Sequence, residues 1–159
     1  MMAIKKILFP TDLSPFAEHV LLYATAMARK FDAALYMLYV EEVLPRHIRG
    51  VDLCVSGDQV RSFHCGAAIE EEAHVEMQSL LDKADMSDLE VKQFVARGMP
   101  GIETTEFAKN QEIDLIVMAT HGWTRLKHVI PGYTTEQIVH KAPCPVLSIK
   151  HPEHEFTMP

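Results

Sequence analysis

The stretch MATHGWTRLKHVIPGYTTEQIVH, Met118 to His140, sets Gly122 and Gly132 with nine residues between them, between an apolar run and helix-like sequence. Glycine at 132 permits positive φ and lets a ligand approach the main chain closely. A helix beginning near Thr134 would aim unpaired N–H groups, and the positive end of its dipole, at the same place. That arrangement suits an anion, phosphate above all. Thr134 with Gln137 reads as a capping box for this helix. Arg125, Lys127 and His128 add local positive charge to a chain whose net charge is −7. The same features also describe an ordinary corner between a strand and a helix.

A second loop, PTDLS, follows the first apolar run. Asp12 in it can accept hydrogen bonds from a ribose or an adenine, or coordinate a metal such as magnesium. It equally reads as the brace of a helix that starts at Ser14. Val40 ends a second apolar run, where it offers either a wall and backbone polar groups to a purine or simple core packing. The nine histidines include no His-Glu-x-x-His pattern, and His64–Cys65 and His151/His154 lack the spacing of a closed zinc site, so the set reads as surface and capping residues. Cys144, between Pro143 and Pro145, reads as packed rather than nucleophilic. No Gly-x-Ser-x-Gly elbow is present.

Five apolar runs must position these loops. Ile4–Pro10 reads as a buried strand closed by its proline. Ser14 as N-cap and Pro15 as first residue then open a helix through Lys30, with Phe16, Val20, Tyr23, Ala24, Met27 and Ala28 on its inner face. Ala34–Val40 is apolar throughout, as central parallel strands are. Residues 41–66 show no sustained period and read as an irregular excursion. A helix follows over Gly66–Ala84, its inner face Ala68, Ile69, Ala73, Met77 and Leu80 or Leu81. A strand over Leu89–Gly98, a helix from Pro100 to Asn110, a strand over Ile113–Ala119, a short helix from Thr134 to His140 and a strand over Pro145–Lys150 complete residues 1–150 as one domain, with 151–159 a tail. The alternation predicts an α/β fold, a five-stranded parallel sheet with helices on both faces. Such sheets take ligands at the carboxyl ends of their strands, where the winding reverses.

The acidic balance argues against nonspecific nucleic-acid binding. There is no run of 18 apolar residues, and MMAIKKILFP is too short in apolar residues for a signal peptide. Three cysteines without a CxxC pair suit a reducing compartment.

KKILFPTDLS, LYVEE, VARGMPGIETTEFAKNQEIDLIVMATHG and VHKAPCPVLSIK together resemble the universal stress protein family in position, spacing and order. The resemblance implies strand order 3-2-1-4-5, Rossmann-like and akin to the adenine nucleotide alpha hydrolases. It also implies a cytoplasmic stress-response protein and a homodimer built through the last strand, here Val146, Leu147, Ser148 and Ile149. Members that bind ATP carry Gly-x2-Gly-x9-Gly-(Ser/Thr). The matching positions are Ala119, Gly122, Gly132 and Tyr133, so the spacing is kept and two identities are not. On this reading Pro10, Thr11, Asp12 and Val40 hold adenosine. Ala119, Gly122, Gly132, Tyr133 and Thr134 hold the phosphates of ATP or AMP, with Asp12 the ligand if magnesium is used. Main-chain N–H groups at 132–134 survive any change of side chain, while Tyr133 replaces a small hydroxyl and Trp123 stands beside Gly122. The two departures favour a competing reading, a nucleotide-free dimeric interaction module with unknown protein partners. A third reading, a slow ATP hydrolase or phosphotransferase, requires an activated nucleophile that the sequence does not display.

Overall fold

Ile7, Leu8 and Phe9 are almost wholly excluded from solvent, as are Leu35, Met37 and Leu38. Strands buried on both faces belong in the middle of a sheet with helices above and below. The computed structural model describes residues 3–42, 66–120 and 133–150. It has β1 (Lys6–Thr11), α1 (Ala17–Phe31), β2 (Ala34–Glu42), α2 (Gly66–Asp82), β3 (Val91–Gly98), α3 (Pro100–Asn110), β4 (Leu115–Ala119), α4 (Tyr133–Lys141) and β5 (Val146–Ile149). All five strands are parallel, in the order β3-β2-β1-β4-β5. The expected fold class and strand order are those observed.

Alternation along the strands sorts the core into two layers. On one face Ile7, Phe9, Leu35, Met37, Leu115 and Val117 pack with Val20, Leu21, Ala24 and Ala28 of α1 and Met77, Leu80 and Leu81 of α2. On the other, Leu8, Tyr36, Leu38, Ile116 and Met118 meet Ala108 of α3 and Ile138 of α4. Tyr23 is not on the inner face of α1. It is exposed, with its ring edge-on to His19 at 5.3 Å, and Leu21 and Thr25 are buried instead.

Helix α3 begins where Pro100 predicts, after Met99 in extended conformation. Gly98 before it has φ +152, a conformation nearly reserved for glycine, and a Cβ there would collide with the Glu103 side chain. Gly101 lets α3 and α4 approach, since a Cβ on it would meet the Gln137 side chain. At the amino end of the sheet Asp114 Oδ2 accepts the backbone N–H of Lys5 (2.8 Å) and Lys6 (2.9 Å), joining the starts of β1 and β4. Among the described residues no helix is long and apolar enough to cross a membrane. The 43–65 part of the expected excursion, the 151–159 tail, Gly122, Trp123, Arg125, Lys127, His128 and Gly132 lie outside the described residues, as do the side chains of Ala68, Ile69 and Tyr133.

Candidate functional site

Winding reverses between β1 and β4, and there the hydrogen-bond ladder is short. The β1–β2 register runs from Lys6↔Ala34 to Thr11↔Tyr39, whereas β1 and β4 are paired only at Ile7↔Leu115 and Leu8↔Ile116. Successive residues of a central parallel strand turn their N–H and C=O to alternate neighbours. Lys5 O accepts from Ala34 N at the start of β2, and Lys6 O accepts from Asp114 N beside β4, both at 2.9 Å. Even-numbered residues of β1 therefore face β4. After Leu8 the next is Pro10, which has no N–H to give. Phe9 and Thr11 face β2, so that ladder continues past the proline. The sequence reading closed the strand at Pro10; the strand instead passes through it to Thr11. The carboxyl ends of β1 and β4, where the winding reverses, mark the place where sheets of this kind take ligands.

The loop leaving β1 braces itself there. Buried Thr11 accepts the Leu13 N–H on Oγ1 at 3.0 Å, and Asp12 accepts the Ser14 N–H on Oδ1 at 3.0 Å. Leu13 between them sits at φ +58, costly for a leucine by about 1–2 kcal/mol. These bonds settle what the aspartate does for the chain: it braces the approach to α1, as one of its two readings held. Ser14 is not the N-cap. Its N–H is spent on Asp12, a turn follows, and α1 starts at Ala17 after Phe16, which makes no side-chain cap. Asp12 remains exposed, and its Oδ2 makes no bond among the described residues. Val40 is half-buried, beside Ala96 in the β2–β3 register and packed on the α3/α4 face of the sheet. The neighbouring Glu41 is paired with Arg97 at 2.6 Å, which neutralises the rim on that side.

Helix α4 starts at Tyr133, one residue before the expected Thr134, so Thr134 lies inside its first turn. Gln137 is turned against Gly101 rather than back toward a cap. The hydroxyl that matters to the geometry is the next one. Thr135 Oγ1 donates to the carbonyl of Ala119 at 3.3 Å, fixing the first turn of α4 to the end of β4. Ile116 N and Thr120 N both bond to the β5 side, so the odd-numbered Ala119 turns its carbonyl toward β1. Thr135 escaped the sequence reading. Its only signal was a second hydroxyl beside Thr134 at a strand-to-helix junction. The structure thus brings Pro10, Thr11, Asp12, Ala119 and the start of α4 to one edge of the sheet, with Val40 one strand further along.

Elsewhere the chemistry is muted. Burial, and secondarily the charge of Asp114, pushes the half-buried Cys144 thiol up, the state of a packed cysteine rather than of a nucleophile. Among the described residues no group of three or more His, Cys, Asp or Glu is placed to hold a metal.

A family model, that of the universal stress protein family, matches residues 3–150. Universal stress protein MJ0577 of Methanocaldococcus jannaschii is 32% identical, with 92% of this chain and 94% of that protein covered. In a solved structure of MJ0577 the TM-score is 0.73 at 28% identity, over 96% of this chain and 100% of the other. A universal stress protein in complex with cAMP gives 0.67 at 14% identity, over 93% and 98% of the two chains. One from Archaeoglobus fulgidus in complex with dAMP gives 0.58 at 20%, over 94% and 100%. At these last two identities the likeness is one of fold.

Proposed function

Since this chain belongs to the universal stress protein family, we propose that it binds an adenine nucleotide, ATP or AMP, at the carboxyl ends of β1 and β4 and changes its partner contacts accordingly. The observation that carries this reading is the reversal of winding between β1 and β4, where Thr135 ties the first turn of α4 to the carbonyl of Ala119 at the end of β4. Two proteins of the same fold bound to cAMP and to dAMP support an adenine nucleoside monophosphate as the common element. Pro10, Thr11 and Asp12 would line the adenosine on one side and Val40 on the other. Ala119 and the main-chain N–H groups of Tyr133 and Thr134 would meet phosphate at the positive end of α4, together with Gly122 and Gly132. Asp12 Oδ2 is the group on offer to a ribose hydroxyl or a magnesium ion. Titration with a fluorescent adenine nucleotide tests the proposal: saturable binding of ATP or AMP is expected, and no binding at millimolar ligand discards it.

The second reading, an interaction module, draws on β5. This strand is an edge of the sheet, and Val146 and Leu147 on it are only half-buried. An apolar edge invites pairing, and a two-fold axis would cover it with the same strand of a second copy. We therefore propose a homodimer through Val146–Ile149, compatible with nucleotide binding. Light scattering should report a dimer at micromolar concentration; a monomer removes this part.

A further inference from the structure

We propose that Thr135 is a positioning residue that makes nucleotide binding depend on phosphate: its hydroxyl bonds the chain's own Ala119 and so fixes where α4 begins, leaving the main-chain amides of that first turn to meet the anion. The inference rests on the nucleotide reading and deepens it. Threonines inside the other helices use their hydroxyls differently. Thr25 Oγ1 donates to Leu21 O and Leu22 O at 2.9 and 3.0 Å, and Thr105 Oγ1 to Gly101 O and Ile102 O at 3.0 and 2.9 Å, each within its own helix. That is the ordinary mode of a helical threonine. Thr135 stands in the first turn of α4 and instead reaches across to a strand, to Ala119 O at 3.3 Å. The carbonyl it takes has a need for a donor, since it turns toward β1 and, among the described residues, the β1–β4 pairs end before it. A helix of nine residues has little stability of its own and keeps its ends through packing. Buried Ile138 anchors the middle of α4 against Leu8, Ile116 and Met118. Thr135, three residues earlier and so on the same side of the helix, is the anchor of the turn before it.

Thr135→Val tests this, because valine matches threonine in shape and in helix propensity and lacks only the hydroxyl. With Ile138 still holding the helix, the loss should be confined to the first turn. AMP and ATP should then bind roughly three- to tenfold more weakly, the worth of one net hydrogen bond, while adenosine, which carries no phosphate, keeps its affinity. Thr135→Ser returns the hydroxyl and should restore AMP binding. A fall shared equally by adenosine and AMP, a serine variant that rescues nothing, or a parent chain that binds adenosine as tightly as AMP overturns the proposal. Hydrogen exchange without ligand gives a second readout. The Gln137 N–H, which closes the first turn on the carbonyl of Tyr133, should exchange several-fold faster in Thr135→Val and at the parent rate in Thr135→Ser, with the Lys141 N–H unchanged in both. An unmoved Gln137 amide also overturns the proposal. If the parent chain binds no adenine nucleotide while the Gln137 amide responds as expected, the nucleotide reading and the dependence on phosphate fail together, and only the anchoring of α4 by Thr135 stands.

Discussion

The seam between β1 and β4 is built in opposite ways at its two ends. At the amino end it is stitched: Asp114 Oδ2 takes the N–H groups of Lys5 and Lys6, Asp114 N bonds Lys6 O, and Lys6 Nζ reaches Gln111 O at 2.8 Å. At the carboxyl end pairing stops at Leu8, Pro10 withholds a donor, and the chain leaves through a leucine at positive φ. Among the described residues the other non-glycine positions at positive φ, Asp32 and Glu112, lie just beyond helix ends, where such a conformation is an ordinary way to stop. Leu13 does not; it lies in the loop leaving β1, between the Thr11 and Asp12 braces. Backbone held in costly conformations gathers at ligand sites because the surroundings fix it. The same two strands thus carry stability at one end and the candidate site at the other.

This division predicts that substitutions at the two ends separate stability from binding. Asp114→Ala should have the largest effect. It removes an ionised acceptor of two backbone N–H groups, worth about 2 kcal/mol after allowing for partial solvation. Urea denaturation should show that loss, while adenine-nucleotide affinity of the folded protein stays unchanged. A fall in affinity that matches the fall in stability would mean the ends are coupled. At the carboxyl end the order reverses. Asp12→Ala should cost only about 0.5–1 kcal/mol, through the Ser14 N–H it leaves behind, yet weaken nucleotide binding by tenfold or so if Oδ2 meets the ribose. Asp12→Asn keeps an Oδ1 acceptor for Ser14 and should restore the stability but not the affinity. Equal recovery of both would confine Asp12 to bracing the loop.

How much of this was legible in residues alone depends on which contacts set it. The continuous apolar run Ala34–Val40 and the alternation of elements gave the sheet, because burial on two faces is written into composition. Pro100 located α3, since a proline at the first helical position has a local cause. Pro10 was misread as the end of a strand for a reason equally physical: whether its missing N–H matters depends on which neighbour that residue faces, and register is set by other strands. The Ser14–Pro15 pair looked like a helix start, but Thr11 and Asp12 consume the nearby N–H groups first, and the turn they make delays the helix to Ala17. Thr134 and Thr135 differ by one position, about 100° around a helix, and a shift of one residue in the start of α4 decides which hydroxyl reaches Ala119.

The smallest expected effect tests the stitched end through a group that takes no part in it. Cys144 stands at the entry to β5, and its thiol is pushed up first by burial and second by the charge of Asp114. A raised thiol pKa means the folded chain holds the proton more tightly than the unfolded one. The associated stability is therefore complete below the unfolded thiol range and drains away as pH rises through and beyond about 8.5. Asp114→Asn removes only the second cause. The alkylation rate of the peptide containing Cys144, followed by mass spectrometry against pH, should shift slightly toward that of an ordinary thiol and stop well short of it. Full recovery of ordinary reactivity would show that the substitution had exposed Cys144, and that Asp114 closes the amino end by packing as well as by its two hydrogen bonds. An unmoved profile would place the Asp114 charge too far through solvent to be felt at β5, leaving its bonds to Lys5 and Lys6 as its whole contribution to the seam.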